Sequence, residues 1–271
     1  MPTSKPAVFK TALAAWGDAF RAIAAMPVVA GVAFAIVLAV ALVTFPLFSD
    51  PRSAAGNPWL GVFVIGVSLV SAALLAPLAI AVHRFVLLGE TTQRYPLEPN
   101  SRRFQRFVGF AILVKFLFLF PNLIETLAAG PARQDPLAAG AVGVLVFALE
   151  ITFTIIVLRR AILFPAVAVD APGATWSKAG RDTKGSSWRV AFIFVLTALP
   201  MMIVGAALYL PLLGAQGETS ATARLFLSVV SAIIEVPALS AFAAAASHIY
   251  RARADLMTRP EVFGSAEYQA G

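Results

Sequence analysis

The 271-residue chain has no cysteine and only two histidines, His83 and His248. The first absence excludes disulfides and thiolate metal sites, while leaving the redox compartment unread. The second leaves no carboxylate and His cluster that could hold a metal. Charge is scarce too: Asp, Glu, Lys and Arg make up 13% of the residues, against roughly 25% in an ordinary soluble domain. No nucleophile–base pair can be assembled from these residues, and no cofactor signature is present. The sequence therefore predicts neither an enzyme nor a bound cofactor.

Apolar residues are plentiful, at 59% of the chain. Six stretches of 22 to 24 mostly apolar residues run through it, at 27–48, 59–82, 107–129, 137–158, 190–213 and 225–247. A helix rises about 1.5 Å per residue, so each can cross a hydrocarbon core of roughly 30 Å. Together they hold 138 residues, about half the chain, and no remaining stretch could bury a core of its own. One membrane domain over 27–257 follows. The first stretch is longer than a signal-peptide h-region and lies behind a 26-residue leader, so a cleaved signal is not expected.

The cations alternate in their placement. The leader holds Lys5, Lys10 and Arg21, and the second loop holds Arg84, Arg94, Arg102, Arg103 and Arg106. The fourth loop holds Arg159, Arg160, Lys178, Arg181, Lys184 and Arg189, and the tail holds Arg251, Arg253 and Arg259. These regions carry 17 cations, while the intervening loops carry three, Arg52, Arg133 and Arg224. The positive-inside rule turns that split into an even number of spans with both termini cytoplasmic. The net charge of +7 lies beside span ends, where it meets anionic lipid headgroups rather than nucleic acid.

Turn residues fill the intervening loops, as in Asn57-Pro58, Gly130-Pro131 and Asp135-Pro136. Such short links make neighbouring helices antiparallel. The expected fold is thus an all-α bundle of six transmembrane helices in three hairpins, with amphipathic interfacial helices on the cytoplasmic side. The first of these lies in the leader, residues 1–26, where Phe9, Leu13, Trp16 and Phe20 recur at helical spacing and Pro27 ends the helix; it reads as a membrane-surface anchor. Residues 258–271 lack periodicity and read as a disordered tail.

A second interfacial helix is expected between Asp170 and Trp188. Thr175 can cap its start and Gly185 its end. Trp176, Ala179 and Thr183 share one face, and Lys178, Arg181 and Lys184 another. With Arg159, Arg160, Trp188 and Arg189 they make a basic interfacial loop, suited to strapping onto lipid or to docking a membrane or cytoplasmic protein partner. A weak repeat marks where the second and fourth spans leave the membrane: Val82-His83-Arg84 followed by four apolar residues, and Leu158-Arg159-Arg160 followed by four more. Ser247-His248-Ile249-Tyr250-Arg251 echoes it loosely. Both strong copies predict helices continuing past the basic pair as amphipathic stubs.

Arg160, then Phe164-Pro165-Ala166-Val167-Ala168-Val169-Asp170, then Trp176 to Arg181, then Thr183-Lys184-Gly185-Ser186-Ser187-Trp188-Arg189 resembles the central signature of a broad bacterial group. Its members are six-helix inner-membrane proteins similar to the membrane domain attached to some glycerophosphoryl diester phosphodiesterases. The resemblance covers most of the chain in helix number, and specific residues across 159–189. It implies a bacterial inner-membrane setting. It implies no reaction, because the group's phosphodiesterase activity belongs to a separate soluble domain.

Ionisable groups inside a bilayer are costly unless paired, which makes them functional candidates. Four fall within the apolar stretches: Lys115, Glu125, Glu150 and Glu235. Counted from the inner ends, Lys115 and Glu150 each lie about 12 Å deep and could pair. Glu235, beside Pro237, lies deeper, with Asn122 the nearest polar partner on the third span. The cluster Lys115, Asn122, Glu150 and Glu235 either clasps the helices or lines a polar cavity for an ion, proton or amphiphile. A non-enzymatic interaction or membrane-organising protein is the leading expectation, and a small transporter or channel the alternative.

Overall fold

Proline and glycine punctuate the chain where its helices change course. In the computed structural model, which describes residues 7–48, 58–132, 135–213 and 221–258, α1 (Val8–Ala25) ends at Met26 and α2 (Pro27–Phe48) begins on the next residue. Proline at a first helical position loses no hydrogen bond, because its N–H would have no partner there. There follow α3 (Pro58–Leu88), α4 (Arg102–Ala132), α5 (Pro136–Arg160), the short α6 (Leu163–Ala168) and α7 (Trp176–Asp182), then α8 (Ser187–Leu213) and α9 (Ala221–Arg253). Among the described residues there is no strand. Six of the helices (α2, α3, α4, α5, α8 and α9) are long and apolar enough to cross a membrane. The tail beyond Thr258 lies outside the described residues.

The helices outrun the apolar stretches. Helix α3 continues six residues past Val82, until Gly89 at φ 71° closes it, a left-handed conformation glycine adopts without strain. The fourth span behaves differently. Helix α5 stops at Arg160, a turn at Ala161 and Ile162 intervenes, and α6 resumes at Leu163. Its residues Leu163, Pro165, Ala166, Val167 and Ala168 are buried. The stub expected here is therefore an interior segment packed on α3, α4 and α9, and not an amphipathic surface helix.

Helix α9 is the hub, packing on α1, α2, α3, α6 and α8. Its residues Ala241 and Ala243 to Ala246 are small, which lets neighbouring backbones come close. Around it, α3 packs on α4, α4 on α5, α5 on α8 and α8 on α9. The largest fully buried side chains include Met26, Leu78, Ile162, Leu163, Ile193, Ile249 and Met257. Most lie toward the end that also holds Arg84, Arg103, Arg159, Arg251 and their partners, called here the basic end.

Helix α1 packs the opposite way from a simple surface anchor. Ala12, Ala15, Ala19 and Ala22 are buried against the bundle, whereas Phe9, Leu13 and Phe20 face outward. Trp16 donates from Nε1 to the Thr197 carbonyl at 3.1 Å, tying α1 to α8. The helix thus offers small residues to protein and large apolar ones to its surroundings.

Candidate functional site

The expected basic loop folds closely as its sequence demands. Thr175 adopts an extended conformation and its side chain accepts from the Lys178 N–H at 3.4 Å, while Gly185 sits at φ 77°. Ala179 and Thr183 are fully buried, and Thr183 Oγ1 donates to the Arg159 carbonyl at 2.7 Å. Arg181 and Lys184 are exposed and Lys178 is half-buried. Trp188 is exposed, with the Arg189 guanidinium 5.1 Å from its ring centre. Trp176 turns inward: Phe110 stacks on it at 6.3 Å, and the Arg160 guanidinium lies 4.8 Å from its ring centre.

Carboxylates tie the ends of this loop. Asp170 takes φ 54°, a left-handed conformation that Asp tolerates better than most residues. It pairs with Arg103 at 2.8 Å. Arg84 grips both oxygens of Glu90, at 2.7 and 2.9 Å, and donates to the Ala168 carbonyl at 3.0 Å. Asp182 accepts from the N–H groups of Leu256 and Met257 at 3.1 and 3.2 Å, pinning the chain after α9. Burial pushes the Asp182 carboxyl above its ordinary range, the two N–H bonds only partly opposing it. Tyr95 reaches from the loop after α3 to the Leu74 carbonyl, and burial pushes its phenol up to about 12.

Sequence reasoning missed the contacts of both histidines. His83 is buried, its Nδ1 2.8 Å from Ser247 Oγ. Ser247 donates its one hydroxyl proton to the Ala243 carbonyl at 3.0 Å, so Oγ accepts from Nδ1–H, a tautomer assigned from the bonding. A hydroxyl and an imidazole therefore meet, but His83 is the donor, so the imidazole is not placed as a base toward the hydroxyl. Both side chains are buried, at 2% and 0% exposed. His248 Nε2 lies 2.7 Å from Asp18, which also holds Arg21. The loose echo of the basic exit motif at 247–251 was the available signal.

The ionisable candidates of the long apolar helices are less concentrated than expected. Lys115, Glu125, Glu150 and Glu235 all stand exposed on their helices, and the Asn122 side chain lies outside the described residues. Among the described residues no ion pair joins Lys115 to Glu150. The reason is register. Phe120 of α4 meets Phe153 of α5, with ring centres 6.4 Å apart. Lys115 precedes Phe120 by five residues and Glu150 precedes Phe153 by three. On helices joined end to end these offsets add, separating the two charges by about 12 Å along the axis. Lys115 is also turned about 100° from Phe116, which stacks along the same seam.

Compared with protein-family models, characterised proteins and solved structures, the chain matches none.

Proposed function

We propose that this chain is a multi-pass integral protein of a bacterial inner membrane, with its six long helices in three antiparallel hairpins. The basic end and both termini face the cytoplasm. Its role is non-enzymatic, organising the membrane or holding a membrane or cytoplasmic protein partner through the face built from α7 and its flanking loops. One observation carries this reading. Large apolar side chains such as Phe63, Phe116, Phe147, Ile203 and Phe226 stay exposed along the long helices, while the cations gather at one end. Water would not tolerate that surface, and lipid would. The resemblance at 159–189 supports the bacterial setting. The burial of His83 and Ser247 supports a role without catalysis.

Reporter fusions test the orientation. Fusions at Arg133 and Lys184 should report opposite sides of the membrane, and a shared side, or recovery of the protein without detergent, would overturn the reading. A photocrosslinker at Arg181 should capture a reproducible protein neighbour in intact membranes. Capture of nothing but lipid would remove the partner half of the proposal.

A second reading, a small transporter or channel using Lys115, Glu150 and Glu235, is supported by these ionisable groups lying within the apolar stretches. Glu235→Gln and Lys115→Met should then abolish proton or ion flux in reconstituted vesicles while the protein still folds and inserts. Unchanged flux in both variants would dismiss it.

A further inference from the structure

Not every arginine at the basic end holds a carboxylate. Arg84 and Arg103 each hold a carboxylate. Arg106, Arg159 and Arg160 instead donate only to backbone carbonyls, those of Ala174, Gly180 and Ile156 respectively. The carboxylates nearby are committed elsewhere, Glu90 to Arg84, Asp170 to Arg103 and Asp182 to two backbone N–H groups.

Two of the three converge. Arg159 donates to the Gly180 carbonyl at 3.2 Å, and a Cβ on Gly180 would stand 3.4 Å from the Arg160 guanidinium. Both guanidinium groups thus lie against α7 at Gly180. The Nε donors of Arg159 and Arg160 are buried without a hydrogen-bond partner among the described residues. Trp176 covers Arg160 on one side and Phe110 covers Trp176 in turn. Two like charges held side by side on half-buried side chains suit an anion, which would relieve their mutual repulsion.

We propose that Arg159 and Arg160, backed by Trp176 and Gly180, bind the phosphodiester of an anionic lipid headgroup. A guanidinium matches phosphate oxygens with paired N–H donors. The apolar run of α5 ends at Leu158, immediately before the pair, so the site lies at headgroup depth if α5 crosses the bilayer. In that respect it rests on the membrane reading above. A zwitterionic headgroup carries the same phosphate with its own cation attached, and so competes poorly for a doubly cationic site.

The test uses full-length protein in detergent, with dioctanoyl phosphatidylglycerol, dioctanoyl phosphatidylcholine and inorganic phosphate as probes and the unfolding midpoint as readout. Phosphatidylglycerol should raise the midpoint at about tenfold lower concentration than phosphatidylcholine, whose ammonium group offsets its phosphate charge. R159Q/R160Q should bring the two lipids to parity, while the exposed control K184Q keeps the preference. Equal potency of the two lipids on wild type, a preference surviving in R159Q/R160Q, or inorganic phosphate acting as well as the lipid would each overturn the proposal.

Should the double variant fail to fold, wild type decides alone. Purified from vesicles of equal phosphatidylglycerol and phosphatidylcholine, it should retain mostly the anionic lipid by native mass spectrometry, and equal retention sinks the site. Protein that needs detergent but shows no lipid preference defeats this proposal only, whereas detergent-free solubility defeats the membrane reading itself.

Discussion

Helices α5 and α9 are both long and apolar enough to cross a membrane, yet they meet opposite surroundings. Along α9 the run from Ala243 to Ser247 is at most 6% exposed, enclosed by α1, α2, α3, α6 and α8. Along α5, Val144 is 71% exposed and Phe147 64%. The more hydrophobic side chains are the more exposed ones. Where lipid is the solvent this inversion is expected, because hydrocarbon solvates Phe and Val as well as protein does. What then selects a helix for the interior is small side chains that permit close approach and polar groups that need partners. Helix α9 has both, in its alanines and in Ser240, Ser247 and His248.

The sharpest way to break this contrast is to enlarge the small face. Ala244 is fully buried, so Ala244→Leu should force α9 from its neighbours and cost about 3 kcal/mol, read as a lower unfolding midpoint in detergent. A neutral outcome would mean that the alanine face is not closely packed. A smaller effect follows from the polar clasp between α3 and α9. His83→Leu keeps the volume but removes the Nδ1–H bond to Ser247, and should cost about 1–2 kcal/mol. Ser247→Ala should add little on that background, since the two share one interaction.

How much of this contrast is legible in the sequence depends on scale. Six long helices, the break at Pro27, the Thr175 cap and the left-handed Gly185 each rest on a local rule, and each is visible before folding. The inward turn of α1 is not, because alanine spacing at 12, 15, 19 and 22 carries no hydrophobic contrast while Phe9, Leu13 and Phe20 do. Depth counted from the end of an apolar run also misleads. It set Lys115 level with Glu150, whereas the packing of Phe120 on Phe153 offsets them. Helix register belongs to side-chain packing between elements, and a single strand of letters does not hold it. The pairing of Asp18 with His248 spans 230 residues, beyond any spacing rule.

A third prediction concerns the chain end held beside the hub. Asp182→Ala should free the N–H groups of Leu256 and Met257 at a cost of about 1 kcal/mol. Titration adds a sign. Burial raises the carboxyl above its unfolded value, so the folded state binds the proton more tightly. The group's contribution is therefore fully present below the unfolded value and is lost as pH rises through the raised folded one. Wild type should lose stability across that window relative to Asp182→Asn, which cannot titrate. Parallel pH profiles for the two proteins would show that the carboxyl is not held high.

The smallest expected effect is the one that bears most directly on the comparison. Phe147 on α5 is large and apolar, and a buried phenylalanine truncated to alanine typically costs about 3–5 kcal/mol. If lipid surrounds this exposed face, Phe147→Ala exchanges one contact with hydrocarbon for another, so the change in unfolding midpoint should correspond to less than about 0.5 kcal/mol. The same should hold for Ile203→Ala on α8, which is 60% exposed. A substantial loss at either site would mean that another protein surface covers it. Measuring the variants at two protein concentrations separates the cases: lipid contact gives a concentration-independent midpoint, while a second copy packed on α5 or α8 makes it rise with concentration.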